Sequence, residues 1–321
     1  MQAIICILMQ QKIEDNMIYG IIDLGSNTLR LSIYEIDPKR SDRFVQLVNK
    51  KTMASLASYL DEDSNLSQEG VTKAIEILKS YQRKIANFPG AKTYVFATAV
   101  LRRAANAQEV MREIKKACGL EIDLLSGEDE ARYGFRGALV LLDLEEGAQL
   151  DIGGASTELV IYKNKKVKEL YSLNIGSLSL YLDHVSAIVP TPREMDDIRE
   201  HVKAELKTTA KLKAQNIVNL SGVGGSIRAA SKIAQAWYPN SKFKQDSFVE
   251  LSDIDKILSA VSYDPHASTK ALLQVVPERI HTAIPGIICA QTIAEFFSAK
   301  QLFISKYGVR EGYLLSKAVK N

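Results

Sequence analysis

Five short segments of this 321-residue chain hold residue types that handle phosphate and water. Asp23-Leu24-Gly25-Ser26-Asn27-Thr28 follows an apolar run, Ile18–Ile22. It precedes a stretch in which Leu29, Leu31 and Ile33 alternate with Arg30, Ser32 and Tyr34. That pattern reads as strand, turn, strand, with the second strand keeping period two. A bend of Gly25, Ser26 and Asn27 can aim backbone N–H groups and hydroxyls at a phosphate. Asp23, closing a buried strand, would sit where a hydrated divalent cation can bridge to that phosphate. An ordinary hairpin, whose Asp and Asn make only turn hydrogen bonds, uses the same residues. Asp151-Ile152-Gly153-Gly154-Ala155-Ser156 repeats the arrangement before Thr157–Tyr162. Two facing Asp-Gly turns can clamp one anionic ligand between two domains.

The other three segments are less distinctive taken singly. Gly222-Val223-Gly224-Gly225-Ser226 joins a strand read at Ile217–Leu220 to a helix reaching about Trp237. Such a junction offers unbonded N–H groups and a helix dipole to an anion, although a plain tight turn is the commoner use of such glycines. Ser126-Gly127-Glu128-Asp129-Glu130 sets three carboxylates at a helix start. Acids there favour the helix dipole, and Ser126 with Asp129 resembles a capping box. One of the three can instead serve as general base toward water, and composition does not say which. Thr98 and Arg102 lie in a loop after a strand at Thr93–Ala97 and before the cap residue Asn106. Arginine there suits bidentate contact with phosphoryl oxygens; Arg103 reads as solvated. Lys163-Asn164-Lys165-Lys166 reads as a solvated hairpin tip.

The elements that must position these residues alternate between strand and helix. Ser67 caps a helix through Val71, Leu78 and Ile85 that ends at Pro89-Gly90. Asn106 and Glu109 form a capping box for a helix to about Cys118, stopped by Gly119. A strand at Glu121–Leu125 leads to a helix from about Glu128. Thr191-Pro192-Arg193-Glu194 starts another, and a helix after Pro285-Gly286, a strand at Gln301–Ser305 and a last helix from about Arg310 complete the chain. The two Asp-Gly hairpins align at an offset of 128 residues, matching Asp23 with Asp151, Gly25 with Gly153, Thr28 with Ser156 and Tyr34 with Tyr162. That spacing is far too long for a solenoid repeat. It predicts two α/β domains built on the same opening hairpin.

Composition excludes several classes. Lys and Arg total 41 against 38 for Asp and Glu, so neither a nucleic-acid wrapper nor a polybasic membrane binder is indicated. No nucleic acid and no membrane are expected as partners. Cys6, Cys118 and Cys289 are odd in number and far apart, which fits a reducing compartment and a cytoplasmic location. The four histidines hold no ligand spacing. Ala3–Met9 is a short apolar run without a charged lead, too short for a spanning helix. Residues 1–16 read as an extension, either an extra helical appendage or an upstream start.

Six blocks in order then carry a resemblance: Asp23-Leu-Gly-Ser-Asn27, Thr98-x-x-x-Arg102-x-x-x-Asn106, Ser126-Gly-x-x-Glu130-Ala-Arg132, Asp151-Ile-Gly-Gly-x-Ser-Thr-Glu158, Gly222-x-Gly-Gly-Ser226 and Tyr307-Gly-Val-Arg-Glu-Gly312. From Met17 onward the chain resembles the exopolyphosphatase/guanosine pentaphosphate phosphohydrolase family of the actin-like ATPase superfamily. The resemblance implies two actin-like (ribonuclease-H-like) α/β domains flanking a cleft. Residues 17–128 would form the first, with a C-terminal helix of about 309–321 packing back on it, and residues 129–308 the second. It selects Glu130 as the catalytic carboxylate that orients or deprotonates water. Asp151 and Glu158 would help hold a divalent cation, with Asp23 nearby; the cation is Mg²⁺ or Mn²⁺. Gly25, Ser26, Asn27 and Thr98 would cradle phosphoryl groups with catalytic Arg102, as would Gly153, Gly154, Ala155, Ser156, Gly224, Gly225 and Ser226. The implied reaction is metal-assisted hydrolysis releasing terminal orthophosphate from polyphosphate or guanosine pentaphosphate.

Two departures stand out. Ala155 replaces a glycine common in the family, and its methyl could crowd the nearest phosphate. Longer members continue into helical domains, whereas nothing follows Asn321, which shifts the expectation toward shorter chains or a nucleotide polyphosphate. A homodimer is reasonable by resemblance. An actin-fold small-molecule kinase, in which Glu130 would activate an acceptor hydroxyl, is the enzymatic alternative. A non-catalytic polyphosphate or alarmone sensor is the other, and Glu130, Asp151 and Glu158 argue against it.

Overall fold

The computed structural model describes residues 17–37, 44–142, 144–209, 211–214, 216–239 and 248–318. The extension at 1–16 lies outside the described residues, as do residues 319–321, where the sequence reading extends the final helix. Contacts divide the chain into two compact units, Met1–Ser126 with Arg310–Asn321, and Gly127–Val309.

In the first unit β1 (Met17–Leu24), β2 (Thr28–Ile36) and β3 (Phe44–Met53) form an antiparallel meander. β4 (Lys92–Ala97) and β5 (Ile122–Leu124) add in parallel beside β1, giving the order β3-β2-β1-β4-β5. β3 escaped the sequence reading because its residues are largely exposed and keep no apolar beat. Leu29, Leu31 and Ile33 pack with residues of α1 (Gln68–Ile85) and α3 (Ala107–Cys118). The alternate positions Ser32 and Tyr34 are fully buried too. Their cover is α11 (Val309–Ala318): Arg310 Nη1 donates to Ser32 Oγ at 2.9 Å, and the Tyr34 hydroxyl donates to Glu311. Tyr313 meets Phe96 of β4 with ring centroids 4.8 Å apart. A helix from the far end of the chain thus buries the face that period two leaves polar.

Two local expectations change. The Thr98–Arg102 stretch is not a loop, since α2 (Ala99–Arg103) fills it. Asn106 precedes α3 but makes no side-chain cap bond. Its amide instead clasps Leu66, accepting from the backbone N–H at 2.9 Å and donating to the carbonyl at 3.0 Å. Gly119 ends α3 in the left-handed conformation, as its type predicts.

The second unit repeats the plan. β6 (Glu146–Ile152), β7 (Thr157–Lys163) and β8 (Lys166–Leu173) form a meander, and β9 (Leu220–Gly224) and β11 (Gln301–Ile304) run parallel to β6. β10 (Phe248–Glu250) adds an antiparallel edge. Strand β9 starts at Leu220, not Ile217, because its register beside β6 and β11 carries pairing through the glycines. One face of β6 and β7, with Leu150, Leu159 and Ile161, joins the core around α10 (Ala283–Phe296), in which every residue from Ala283 to Ala294 is buried. On the other face, Val160 and Tyr162 pack against Ala131 and Phe135 of α4 (Gly127–Ala138). The remaining helices are α5 (Ser177–His184), α6 (Pro192–Thr208), α7 (Gly225–Trp237), α8 (Leu251–Tyr263) and α9 (Pro265–Val275). The α6 start is the capping box expected, with Glu194 N–H donating to Thr191 Oγ1 and Thr191 N–H to Glu194 Oε2. Lys163–Lys166 closes the β7–β8 hairpin through Asn164 and Lys165, both at positive φ. Among the described residues no helix is long and apolar enough to cross a membrane.

The 128-residue offset is structural. Asp23 pairs with Arg30 and Leu24 with Leu29 across β1–β2, while Asp151 pairs with Glu158 and Ile152 with Thr157 across β6–β7. Gly25 N–H donates to the Thr28 carbonyl at 3.2 Å, and Gly153 N–H to that of Ser156 at 2.9 Å.

Replacing Asn106 by Ala should lower stability by about 1–3 kcal/mol, the cost of orphaning buried backbone partners, read by urea unfolding. Asn106→Ser, a good cap residue, should not restore it; full recovery would mean that capping is the role of Asn106. A second check concerns Asp123, which accepts from the Tyr313 hydroxyl and from Lys317 Nζ at 2.7 Å. Burial pushes its carboxyl up, but the two hydrogen bonds and the Lys317 charge hold it below its ordinary value. A lowered carboxyl stabilises the fold above the ordinary carboxylate range and loses that effect as pH falls through its folded value. Asp123→Asn should therefore lower the melting temperature at neutral pH, with the gap to the parent closing in strong acid.

Candidate active site

A trans peptide carries its carbonyl and its N–H on opposite edges, so whatever holds the carbonyls of a turn decides where its amides face. At the first hairpin, the Ser26 carbonyl accepts from Ala57 N–H at 3.0 Å. The Asn27 carbonyl accepts from Ala54 and Ser55 at 3.0 and 2.9 Å. The amide of Asn27 is thereby turned away from that segment, and among the described residues it has no acceptor. Asn27 Oδ1 accepts from Ser55 Oγ at 3.3 Å, so its side chain also helps fix the turn. Thr98, at the end of β4, donates its N–H to the Leu24 carbonyl at 3.4 Å and lies beside this turn. Arg102 sits one helical turn on, with Nη1 donating to the Leu125 carbonyl at 3.0 Å.

In the second unit the N-terminus of α5 does the holding. Ser177 N–H and Oγ donate to the Gly153 carbonyl at 2.9 and 3.0 Å, and Leu178 and Ser179 donate to that of Gly154 at 2.8 and 3.0 Å. The amides of Gly154 and Ala155 then point the other way, without an acceptor among the described residues. Gly176 permits this approach, because a Cβ there would lie 2.5 Å from the Gly154–Ala155 peptide. Ala155 is buried at ordinary negative φ, so alanine in place of the family glycine costs no backbone strain.

The third turn opens α7. Gly224 has φ 92°, and a Cβ on it would meet Asp151 Oδ1 at 2.8 Å. The first amides of α7 therefore lie beside the Asp151 carboxylate, where a helix N-terminus favours anions. Arg279 was not singled out by sequence. Its guanidinium lies against Gly225, 1.7 Å from where a Cβ would be. A lone arginine in Val276-Pro277-Glu278-Arg279 carries no local signal; only packing brings it to the turn.

Two acids stand across the strand pair from each other here, and a third lies on the helix packed beside them. Asp151 ends β6, and its cross-strand partner Glu158 is buried and accepts from Ser172 Oγ at 3.0 Å. Of the three acids opening α4, Glu128 and Asp129 are exposed and Glu130 is buried. Gly134 lies four residues after Glu130, on the same helix face, and its Cβ position is 4.0 Å from Asp151 Oδ2. That places the Glu130 face of α4 against Asp151 and leaves the other two acids to solvent. Among the described residues no three His, Cys, Asp or Glu side chains converge tightly enough to hold an ion alone. Asp151 and Glu158 supply hard oxygen donors of the number Mg²⁺ takes when substrate phosphates and water complete its shell.

The sequence profile described as the Ppx/GppA phosphatase family matches residues 32–321. The chain belongs to the Ppx/GppA phosphatase family. It is 26% identical over 302 residues to a Haemophilus influenzae protein provisionally named exopolyphosphatase, covering 92% of this chain and 90% of that one. The Aquifex aeolicus Ppx/GppA family member is 28% identical with a TM-score of 0.76, covering 94% and 97% of the two chains. A Cytophaga hutchinsonii exopolyphosphatase structure shares the fold at 20% identity and a TM-score of 0.80, covering 94% and 97%. The α/β units are thus the actin-like ones that the resemblance implies, and the chain is a phosphoanhydride hydrolase.

Gly224→Ala should destabilise the protein by more than about 1 kcal/mol in urea unfolding, since alanine at positive φ is strained. Ala155→Gly, at an ordinary φ, should bring no gain in stability.

Proposed function

We propose that this Ppx/GppA hydrolase releases terminal orthophosphate from inorganic polyphosphate or guanosine pentaphosphate by direct attack of water. The observation that carries the reading is the buried Glu130 carboxylate on the helix face that abuts Asp151. A carboxylate sheltered beside phosphate-type turns is suited to accept a proton from attacking water. Asp151 and Glu158 would hold Mg²⁺ or Mn²⁺, which supplies charge neutralisation at the phosphoryl oxygens when bound. The amides of Gly154, Ala155 and the first turn of α7 bind phosphoryl oxygens, and Arg279 adds a planar donor set beside them. The resemblance adds Arg102, Thr98 and the Gly25–Asn27 turn to the same role. Fixed amides and guanidinium groups stabilise the charge on the transferring group without reorganising.

The test is a phosphate-release panel over polyphosphates of several lengths, guanosine pentaphosphate and ATP, with no acceptor present. Glu130→Gln should reduce turnover by at least about a hundredfold while substrate affinity changes little. Unchanged turnover in that variant would remove Glu130 from the mechanism, and phosphate transfer seen only with an added alcohol would replace hydrolysis by kinase chemistry.

A further inference from the structure

Away from the phosphate-type turns, α6 and α8 both pack on α10 and leave between them a groove of about 690 Å³, a size usual for small-ligand sites. The lining residues run i, i+3, i+4, i+7 on each of the two helices, from Pro192 to Arg199 and from Asp255 to Ser262, so each turns one face to the groove. Met195 and Leu258, both buried, give it an apolar base. Gln291 of α10 lines it too and is 6% exposed. Near the start of α10, Gly286 packs against Ser226 and Ser177, beside the turns. Gln291 stands about 7.5 Å farther along that helix and about 140° round it, so the groove is separate from the proposed active site.

The polar groups of the groove are unevenly matched. Arg199 Nη1 is spent on Asp196 Oδ1 at 2.7 Å. Asp255 takes the Gln291 amide, Nε2 donating to Oδ1, and pairs with no cation among the described residues. The adjacent Lys256 is committed to Asp253 at 2.8 Å. Gln291 Oε1 is buried and accepts no hydrogen bond among the described residues, and such an acceptor costs free energy until a donor meets it. Tyr263, at the rim, is 93% exposed.

We propose that this groove binds a small organic cation, a guanidinium on an apolar stem, through Asp255, Gln291 and Tyr263. Two acids and one arginine line the groove, and the arginine is already paired. A guanidinium carries several N–H donors in one plane, enough to serve the Asp255 carboxylate and Gln291 Oε1 together. Its flat face suits the Tyr263 ring, and the stem covers Met195 and Leu258. An anion in the same place would face Asp255 with no unspent guanidinium to offset it.

Butylguanidinium and, as an anion of similar size, pentanoate are the probes, read on the full chain by NMR of carbon-13-labelled methionine methyls, with Met195→Leu assigning the Met195 signal. Butylguanidinium should shift that signal saturably, and pentanoate should leave it in place. Asp255→Asn should weaken butylguanidinium binding at least about tenfold, and Gln291→Leu about three- to tenfold. Arg199→Met, which frees the Asp196 carboxylate, should tighten it. Should Asp255→Asn fold poorly, Arg199→Met still decides, because a groove built for anions would lose affinity there. An unmoved Met195 signal, a shift with pentanoate, unchanged affinity in Asp255→Asn, or weaker binding of butylguanidinium in Arg199→Met would overturn the proposal.

Discussion

Pinning a carbonyl on one edge of a peptide commits the N–H on the other, and both hairpin turns of this protein are built on that constraint. Neither turn is stiff by composition, since glycine, serine and asparagine are among the freest residues of an unfolded chain. They become fixed because other segments consume their carbonyls: Ala54, Ser55 and Ala57 in the first unit, and the first turn of α5 in the second. In α5 the first amides are spent on orienting that turn. An anion bound there, as proposed, would meet amides already in place, and the ordering cost would fall on folding rather than on binding.

Burial on both faces of each sheet gives these turns a rigid base. β2 and β7 bury alternate residues on opposite sides, so both strands are almost wholly covered. In each unit the strand ends that carry the turns belong to the inner strands β1 and β4, or β6 and β9. In α/β sheets the carboxyl ends of parallel strands are where ligands gather, and Asp23, Thr98, Asp151 and Gly224 all stand there. The polar network of Arg310, Glu311, Tyr34, Ser32 and Gln46 lies under one of these ends and gives α11 a single seat on the sheet.

Much of this was legible in the chain. The 128-residue echo foretold a shared strand pairing, because a hairpin's register follows from its turn and its alternation. Local stop signals such as Gly119 and the Thr191–Glu194 box behave as their chemistry dictates. Failures came where distant residues decide. Asn106 has the type and place of a helix cap, yet Leu66 claims its side chain. β3 and β8, edge strands with half-exposed residues, carry little apolar rhythm to read.

Residue order alone determined the two α/β units, the paired Asp-Gly hairpins and the family, since these rest on local spacing and on motifs that recur intact. Which of the acids opening α4 is sheltered, that Arg279 reaches Gly225, and that Asp23 faces two arginines while Asp151 faces Glu158 were decided only by the tertiary structure. Burial and charge pairing depend on what packs against a side chain, and the residues responsible stand far away in sequence.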